Sequence, residues 1–210
     1  MRACSYCVFG VERRIHEKGA GINKVPETME NPVDAQILRI SEGTLPFFYR
    51  TGHTPNVLTT YSFLLGLAAV HGLWRESVAA FSISYPLGYF FDCVDGQFAR
   101  HYKMVSRFGD LYDHITDVVV NVALLLVILY RRGKYIRPLE AFVFAVLLLL
   151  MATQLGCQQA QYSSDKPETL DSMAPLCAKA DWILWTRYFG TGTVSLVVLL
   201  YVIVLFRRAP

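Results

Sequence analysis

Charge is scarce in this chain: Asp, Glu, Lys and Arg make up 18% of 210 residues, and the net charge is only +3. No long basic run occurs, which argues against a nucleic-acid partner. Cysteine is sparse and odd in number, at Cys4, Cys7, Cys93, Cys157 and Cys177. Cys93 lies in an acidic stretch and Cys157 near the end of an apolar run, so a disulfide framework is not expected. Cys4 and Cys7 form a lone CxxC pair without a second ligand pair, too little for a zinc site. The N-terminus shows no basic segment followed by a long apolar one, so no cleaved signal peptide is expected. What abounds is apolar side chain, 53% of the chain. With a positive mean hydropathy, this indicates one domain of membrane type.

The apolar residues fall into five stretches, at about 55–74, 76–98, 109–130, 138–158 and 183–206. Each approaches the ~20 residues needed to cross a bilayer as a helix. Pro86 is expected to kink the second of them, which is also the least apolar. The polar, proline-punctuated segment 159–182 reads as a loop with at most a short helix. Before the first stretch, Asn31-Pro32 has the form of a helix start, with Asn31 as N-cap and Pro32 at the first helical position. Val33, Ile37, Leu38, Ile40 and Leu45 follow at mostly helical spacing. They predict an amphipathic helix lying in the membrane interface, or packed on the protein itself. Residues 1–30 are polar and contain several glycines, and are expected to be a flexible cytosolic tail to a membrane domain spanning 31–210. The expected fold is therefore all-α: a polytopic integral membrane helical bundle of five to six transmembrane helices plus an N-terminal interfacial helix.

Orientation follows from Lys and Arg. With the N-terminus in the cytosol, segments 1–53, 99–108 and 159–187 hold thirteen of them, and the opposite side holds seven. The count favours a cytosolic N-terminus, although Arg131, Arg132, Lys134 and Arg137 argue the other way.

Residues 92–117 concentrate the chemistry. Asp92, Asp95, Asp113 and Asp117 lie between apolar runs, where acids are costly and point to function. Asp92, Asp95 and Ala99 sit at i, i+3 and i+7 of one helix. Gly109, Asp113 and Asp117 sit at i, i+4 and i+8 of the next. Each set lines a single face. Bringing the two faces together would surround one polar spot with oxygen ligands, as a hard cation such as Mg²⁺ requires.

The pattern Asp92-x2-Asp95-Gly96-x2-Ala99-Arg100-x8-Gly109-x3-Asp113-x3-Asp117 resembles the signature of the CDP-alcohol phosphatidyltransferases. Its eight positions are filled without a gap over about an eighth of the chain. The segment from Pro55-Asn56 to Thr59 is similar to a second, less specific element of that family. The resemblance implies a membrane enzyme of phospholipid synthesis that uses a CDP-linked lipid donor, a small alcohol acceptor and Mg²⁺ or Mn²⁺. It implies Asp92, Asp95 and Asp113 as metal ligands and Asp117 as general base. Gly96, Ala99 and Gly109 would admit the nucleotide closely, or in the case of Gly96 and Ala99 serve helix–helix packing, and Arg100 would contact a phosphate or anchor the helix end. Asn56 and Thr59 would reach the nucleotide or cap the first span. Asn121, a turn beyond Asp117, is a candidate for the acceptor pocket, and Arg187 for binding an anionic acceptor or a lipid phosphate. Family members usually have six spans and are implied to pair as homodimers. The cytosolic site implies the endoplasmic reticulum in a eukaryote and the inner membrane in a bacterium.

The leading expectation is transfer of a phosphatidyl group from CDP-diacylglycerol to a small polar alcohol such as inositol or glycerol 3-phosphate, releasing CMP. The alternative reverses the parts, with CDP-choline or CDP-ethanolamine as donor and diacylglycerol as acceptor. Those enzymes are usually longer, so chain length favours the first. A cation channel lined by intramembrane acids would leave Gly96, Ala99 and Gly109 without a reason. A protein that binds a CDP-lipid without turnover would leave the intact acids without one.

Overall fold

The computed structural model describes residues 24–162 and 169–208, and among them every regular element is a helix. Two short helices, α1 (Pro32–Glu42) and α2 (Leu45–Arg50), lead into α3 (Pro55–Trp74), α4 (Val78–His101), α5 (Arg107–Arg132) and α6 (Pro138–Tyr162). A 3-10 segment (Thr169–Leu176), a single turn α7 (Ile183–Thr186) and α8 (Thr191–Arg208) complete the order. Four helical stretches are long and apolar enough to cross a membrane: Pro55–Trp74, Arg107–Tyr135, Pro138–Tyr162 and Ala180–Arg208. The second of the five expected spans, α4, has the length at 24 residues but carries too many polar groups toward its end to qualify by composition. It runs through Pro86 as one helix. The last expected span is interrupted, because Gly190 is extended (ψ 178°) between a 3-10 turn and α8.

The start of α1 forms as its sequence dictates. Asn31 Oδ1 accepts from the N–H of Val33 at 3.0 Å and of Asp34 at 3.3 Å. Pro32 occupies the first turn, where a missing N–H costs nothing. The continuous amphipathic helix expected beyond it divides at Gly43–Thr44, where Thr44 Oγ1 donates to the Ser41 carbonyl at 2.7 Å. This helix packs on the protein: α1 lies against α4 and α8. Ile40 and Phe47, 66% and 62% exposed, are left for the surrounding medium.

The packed region also starts earlier than residue 31. Val25 and Met29 are buried with Cys157, Tyr162 and Ile183, and Lys24 Nζ donates to Gln159 Oε1 at 2.9 Å. The flexible tail expected over 1–30 is thus corrected for 24–30. The Cys4/Cys7 pair and Arg13, Arg14 and Lys18 lie outside the described residues. A second correction concerns the cysteines: Cys157 and Cys177 form a disulfide. Spacing gave no hint of it, since the bond forms only because the chain after α6 turns back onto that helix. There Gly156 lets the Met173 carbonyl approach so closely that any side chain would overlap it.

Two glycines bring the central helices together. A Cβ on Gly66 of α3 would lie 2.8 Å from both methyls of Val120 of α5, and one on Gly88 of α4 would lie 3.3 Å from the Ser62 carbonyl of α3. Small residues at helix crossings replace the water-driven packing that lipid cannot supply. With α3 seated against both α4 and α5, the polar end of α4 and the first turns of α5 face each other.

Candidate metal and transfer site

The end of α4 and the start of α5 carry all four signature acids. Ser106 caps α5, its Oγ accepting from Gly109 N at 3.0 Å, and so fixes where the acidic face of that helix begins. One carboxylate oxygen each from Asp92, Asp113 and Asp117 lies within 4.8 Å of the others, all three residues being half-buried. Asp113 Oδ1 is buried with no hydrogen-bond partner among the described residues. Oxygens around one octahedral Mg²⁺ are about 2.9–4.2 Å apart, given Mg–O distances of about 2.1 Å. The cluster's separations, all within 4.8 Å, approach that range. Three acids this close repel one another strongly in a low-dielectric setting unless a proton or a cation intervenes. Hard oxygen donors, an orphaned carboxylate atom and mutual convergence all fit a divalent cation.

Asp95 stands apart from this trio. It is 4% exposed, and its Oδ2 accepts a short hydrogen bond from Thr59 Oγ1 of α3. Thr59, itself buried, also lies 3.2 Å from the Pro55 carbonyl. Its hydroxyl is thus engaged with a site carboxylate, neither reaching outward to a ligand nor capping α3. Asn56 does not cap α3 either; the N-cap residue is Thr54. Its side chain points across to α5, where a Cβ on Gly109 would meet Asn56 Oδ1 and Ser106 Oγ at 3.1 Å. Gly96 has a neighbour the sequence did not suggest: the Arg100 guanidinium folds back over it, with Nη1 3.2 Å from where a Cβ would sit. From there the Arg100 charge acts on Asp95 and Asp113. Ala99 is half-buried on the same helix. Asn121 is exposed and its Nδ2 donates to the Asp117 carbonyl at 2.9 Å, so its side chain is spent on its own helix.

Supporting residues escaped the sequence reading. Gln97, fully buried within the signature, accepts from Ser41 Oγ and donates to the Leu38 carbonyl at 3.2 Å, docking α1 on α4. Tyr89 OH donates to Asp34 Oδ1 at 2.6 Å, and Asp34 Oδ2 accepts from Gly192 N at 3.2 Å and Thr191 Oγ1 at 3.1 Å. Asp34 therefore caps α8 from a different helix. Asp110, one turn before Asp113, accepts from the N–H of Thr169 at 2.9 Å, tying the segment after α6 to the mouth of the site. A glutamine inside an acidic signature was the one visible signal among these. The others are unremarkable polar residues until folding pairs them.

Comparison with known proteins agrees with this geometry. A family model described as CDP-alcohol phosphatidyltransferase matches residues 52–209. An archaetidylinositol phosphate synthase of Pyrococcus horikoshii is 34% identical over 74 residues, covering 35% of this chain and 39% of that protein. No solved structure matches. With three quarters of its length under the family model and the acids of α4 and α5 converging on one point, the chain belongs to the CDP-alcohol phosphatidyltransferase family.

Proposed function

We propose that this protein transfers a phosphatidyl group from CDP-diacylglycerol to a small polar alcohol, releasing CMP, in phospholipid synthesis. The observation that carries the reading is the convergence of Asp92, Asp113 and Asp117 from two helices to within 4.8 Å. Asp92 and Asp113 would hold Mg²⁺ or Mn²⁺, and we assign Asp95, which stands outside the converging trio, as a further donor by its place in the signature. When bound, the ion neutralises the pyrophosphate and stabilises the departing CMP. Asp117, one turn deeper along α5, takes the proton from the acceptor hydroxyl as that oxygen attacks the lipid-linked phosphorus. General-base assistance of this kind contributes about 10²–10⁴ in rate. Arg100, folded over Gly96, presents its charge to the donor phosphates, and Gly109 and Asn56 border the nucleotide. Thr59 acts at one remove, by holding Asp95. We rank an inositol-type acceptor first and glycerol 3-phosphate second, a ranking supported by the partial similarity to an archaetidylinositol phosphate synthase. The site faces the cytosol, in the endoplasmic reticulum or bacterial inner membrane, and the protein works as a homodimer.

CMP release from purified protein, with CDP-diacylglycerol, Mn²⁺ and single alcohols, tests the reading. Asp117→Asn is expected to lower turnover by about 10²–10⁴ while Mn²⁺ binding, followed by electron paramagnetic resonance, stays within a few-fold of the parent. Asp113→Asn is expected to weaken Mn²⁺ binding itself. Release that is indifferent to the alcohol supplied, or that persists in Asp117→Asn, would sink the proposal.

A further inference from the structure

The end of the bundle opposite the acidic site carries a second organised set of polar groups. There α3, α5 and α8 finish and α6 begins. Arg131 Nη2 donates to the Trp74 carbonyl at 2.5 Å, and the Arg132 guanidinium lies 4.9 Å from the Phe206 ring centre. Seven cations (Arg75, Arg131, Arg132, Lys134, Arg137, Arg207 and Arg208) meet only two acids, Glu76 and Glu140, which leaves five positive charges. Both acids are already engaged: Glu76 by Arg131 at 3.6 Å and Arg132 at 3.1 Å, Glu140 by Arg137 at 2.6 Å and Arg208 at 3.2 Å. Among the described residues Arg75, Lys134 and Arg207 form no ion pair.

Beside these charges lies a shallow, open surface edged by aromatic rings. Trp74 and Tyr130 stack with ring centres 5.5 Å apart although they are 46% and 74% exposed, and Arg131 lies 4.8 Å over Trp74. Trp74, Arg75, Glu76 and Arg131 line an open cleft of about 330 Å³. Leu126 and Leu129 continue the exposed apolar flank of α5 away from that cleft, 60% and 50% exposed. Aromatic rings at the end of an apolar span belong at headgroup depth, where basic side chains attract anionic lipid.

We propose that this cleft binds the phosphate of an anionic lipid headgroup in the leaflet opposite the acidic site. Arg131 is fixed against Trp74, while Arg75, Lys134 and Arg207 supply uncompensated charge. The acyl chains lie along Leu126 and Leu129, and this apolar continuation selects a lipid over a free anion. The lipid gives the Arg131–Arg137 cluster a role although that cluster runs against the orientation the other basic residues favour, and the site is independent of the transfer chemistry at the other end.

The probe is Trp74 fluorescence in a Trp182→Phe/Trp185→Phe variant, reconstituted with phosphatidylglycerol or phosphatidylcholine brominated on the acyl chains. Phosphatidylglycerol is expected to quench at about tenfold lower mole fraction than phosphatidylcholine. Arg75→Gln/Lys134→Gln/Arg207→Gln removes three of the five net positive charges that attract anionic lipid, and should bring the two lipids within about twofold. Equal quenching in the parent, or an unchanged preference in the triple variant, overturns the proposal. Displacement of the lipid by millimolar inorganic phosphate overturns it too, by showing a free-anion site. Should the tryptophan variant not fold, native mass spectrometry of the unmodified protein decides: retained phosphatidylglycerol in excess of phosphatidylcholine supports the site, and equal retention refutes it.

Discussion

At the scale of the residue, Thr59 shows how one hydroxyl changes meaning between sequence and structure. In sequence it belongs to an element that suggests nucleotide contact. In the folded protein it is buried and donates to Asp95, which is itself 4% exposed. Thr59→Val keeps the shape and removes the donor, leaving a buried carboxylate oxygen short of a partner. A loss of about 1–3 kcal/mol is expected, seen as a lower apparent melting temperature in detergent, with Thr59→Ser restoring most of it. The four acids themselves were legible because helical periodicity is a strong one-dimensional signal. Which three of them converge was not legible. That depends on the depth at which α4 passes α5, set by contacts such as Gly66 on Val120 and Gly88 on Ser62, which belong to no motif.

At the scale of the element, the N-termini of α1 and α8 are locked together by polar groups from both. Asn31 caps its own helix and also donates through Nδ2 to the Arg187 carbonyl at 2.6 Å and to Thr193 Oγ1 at 2.8 Å. A Cβ on Gly192 would overlap Asp34 Oδ1, and Asp34 cannot swing aside because Tyr89, Thr191 and Gly192 hold it. Gly192→Ala is therefore expected to cost about 1–3 kcal/mol, as overpacking does, measured by thermal unfolding. Beside this lock, burial pushes the Glu30 carboxyl up to about 7, only partly offset by its bond from Asn31 N and the charge of Arg100, with Asp34 adding to the rise. The native state thus keeps a proton that the unfolded chain releases near its ordinary value of 4.5. Stability contributed at low pH is then lost as pH climbs from there toward 7. Glu30→Gln keeps an acceptor for Asn31 N and Gln158 Nε2 and should flatten that decline between pH 5 and pH 7.5. The cap at Asn31 was readable from the dipeptide Asn31-Pro32; its second task, on α8, was not, because 156 residues separate it from the carbonyl it meets.

At the scale of the whole molecule, hydropathy located the five long helices, with the start of the last placed near 183 where it begins at Thr191, and the acidic motif located the site between two of them. It failed where the chain leaves regular structure. The stretch following α6 was expected to be a loop without covalent anchorage, yet Cys177 is disulfide-bonded to Cys157, and the Thr169 N–H also donates a hydrogen bond to Asp110. Because α6 runs antiparallel to α5, that disulfide lies at the same end of the bundle as Asp113 and Asp117. Disulfides persist in oxidising compartments and are rare where glutathione is abundant. The cysteine pair is accordingly a built-in reporter of topology. Maleimide mass-tagging of both thiols in rapidly quenched cells would show the acidic end bathed in a reducing cytosol. Thiols that resist tagging until a reductant is added would set the same end in the lumen or beyond the cell, and would turn the enzyme's chemistry to face the other way.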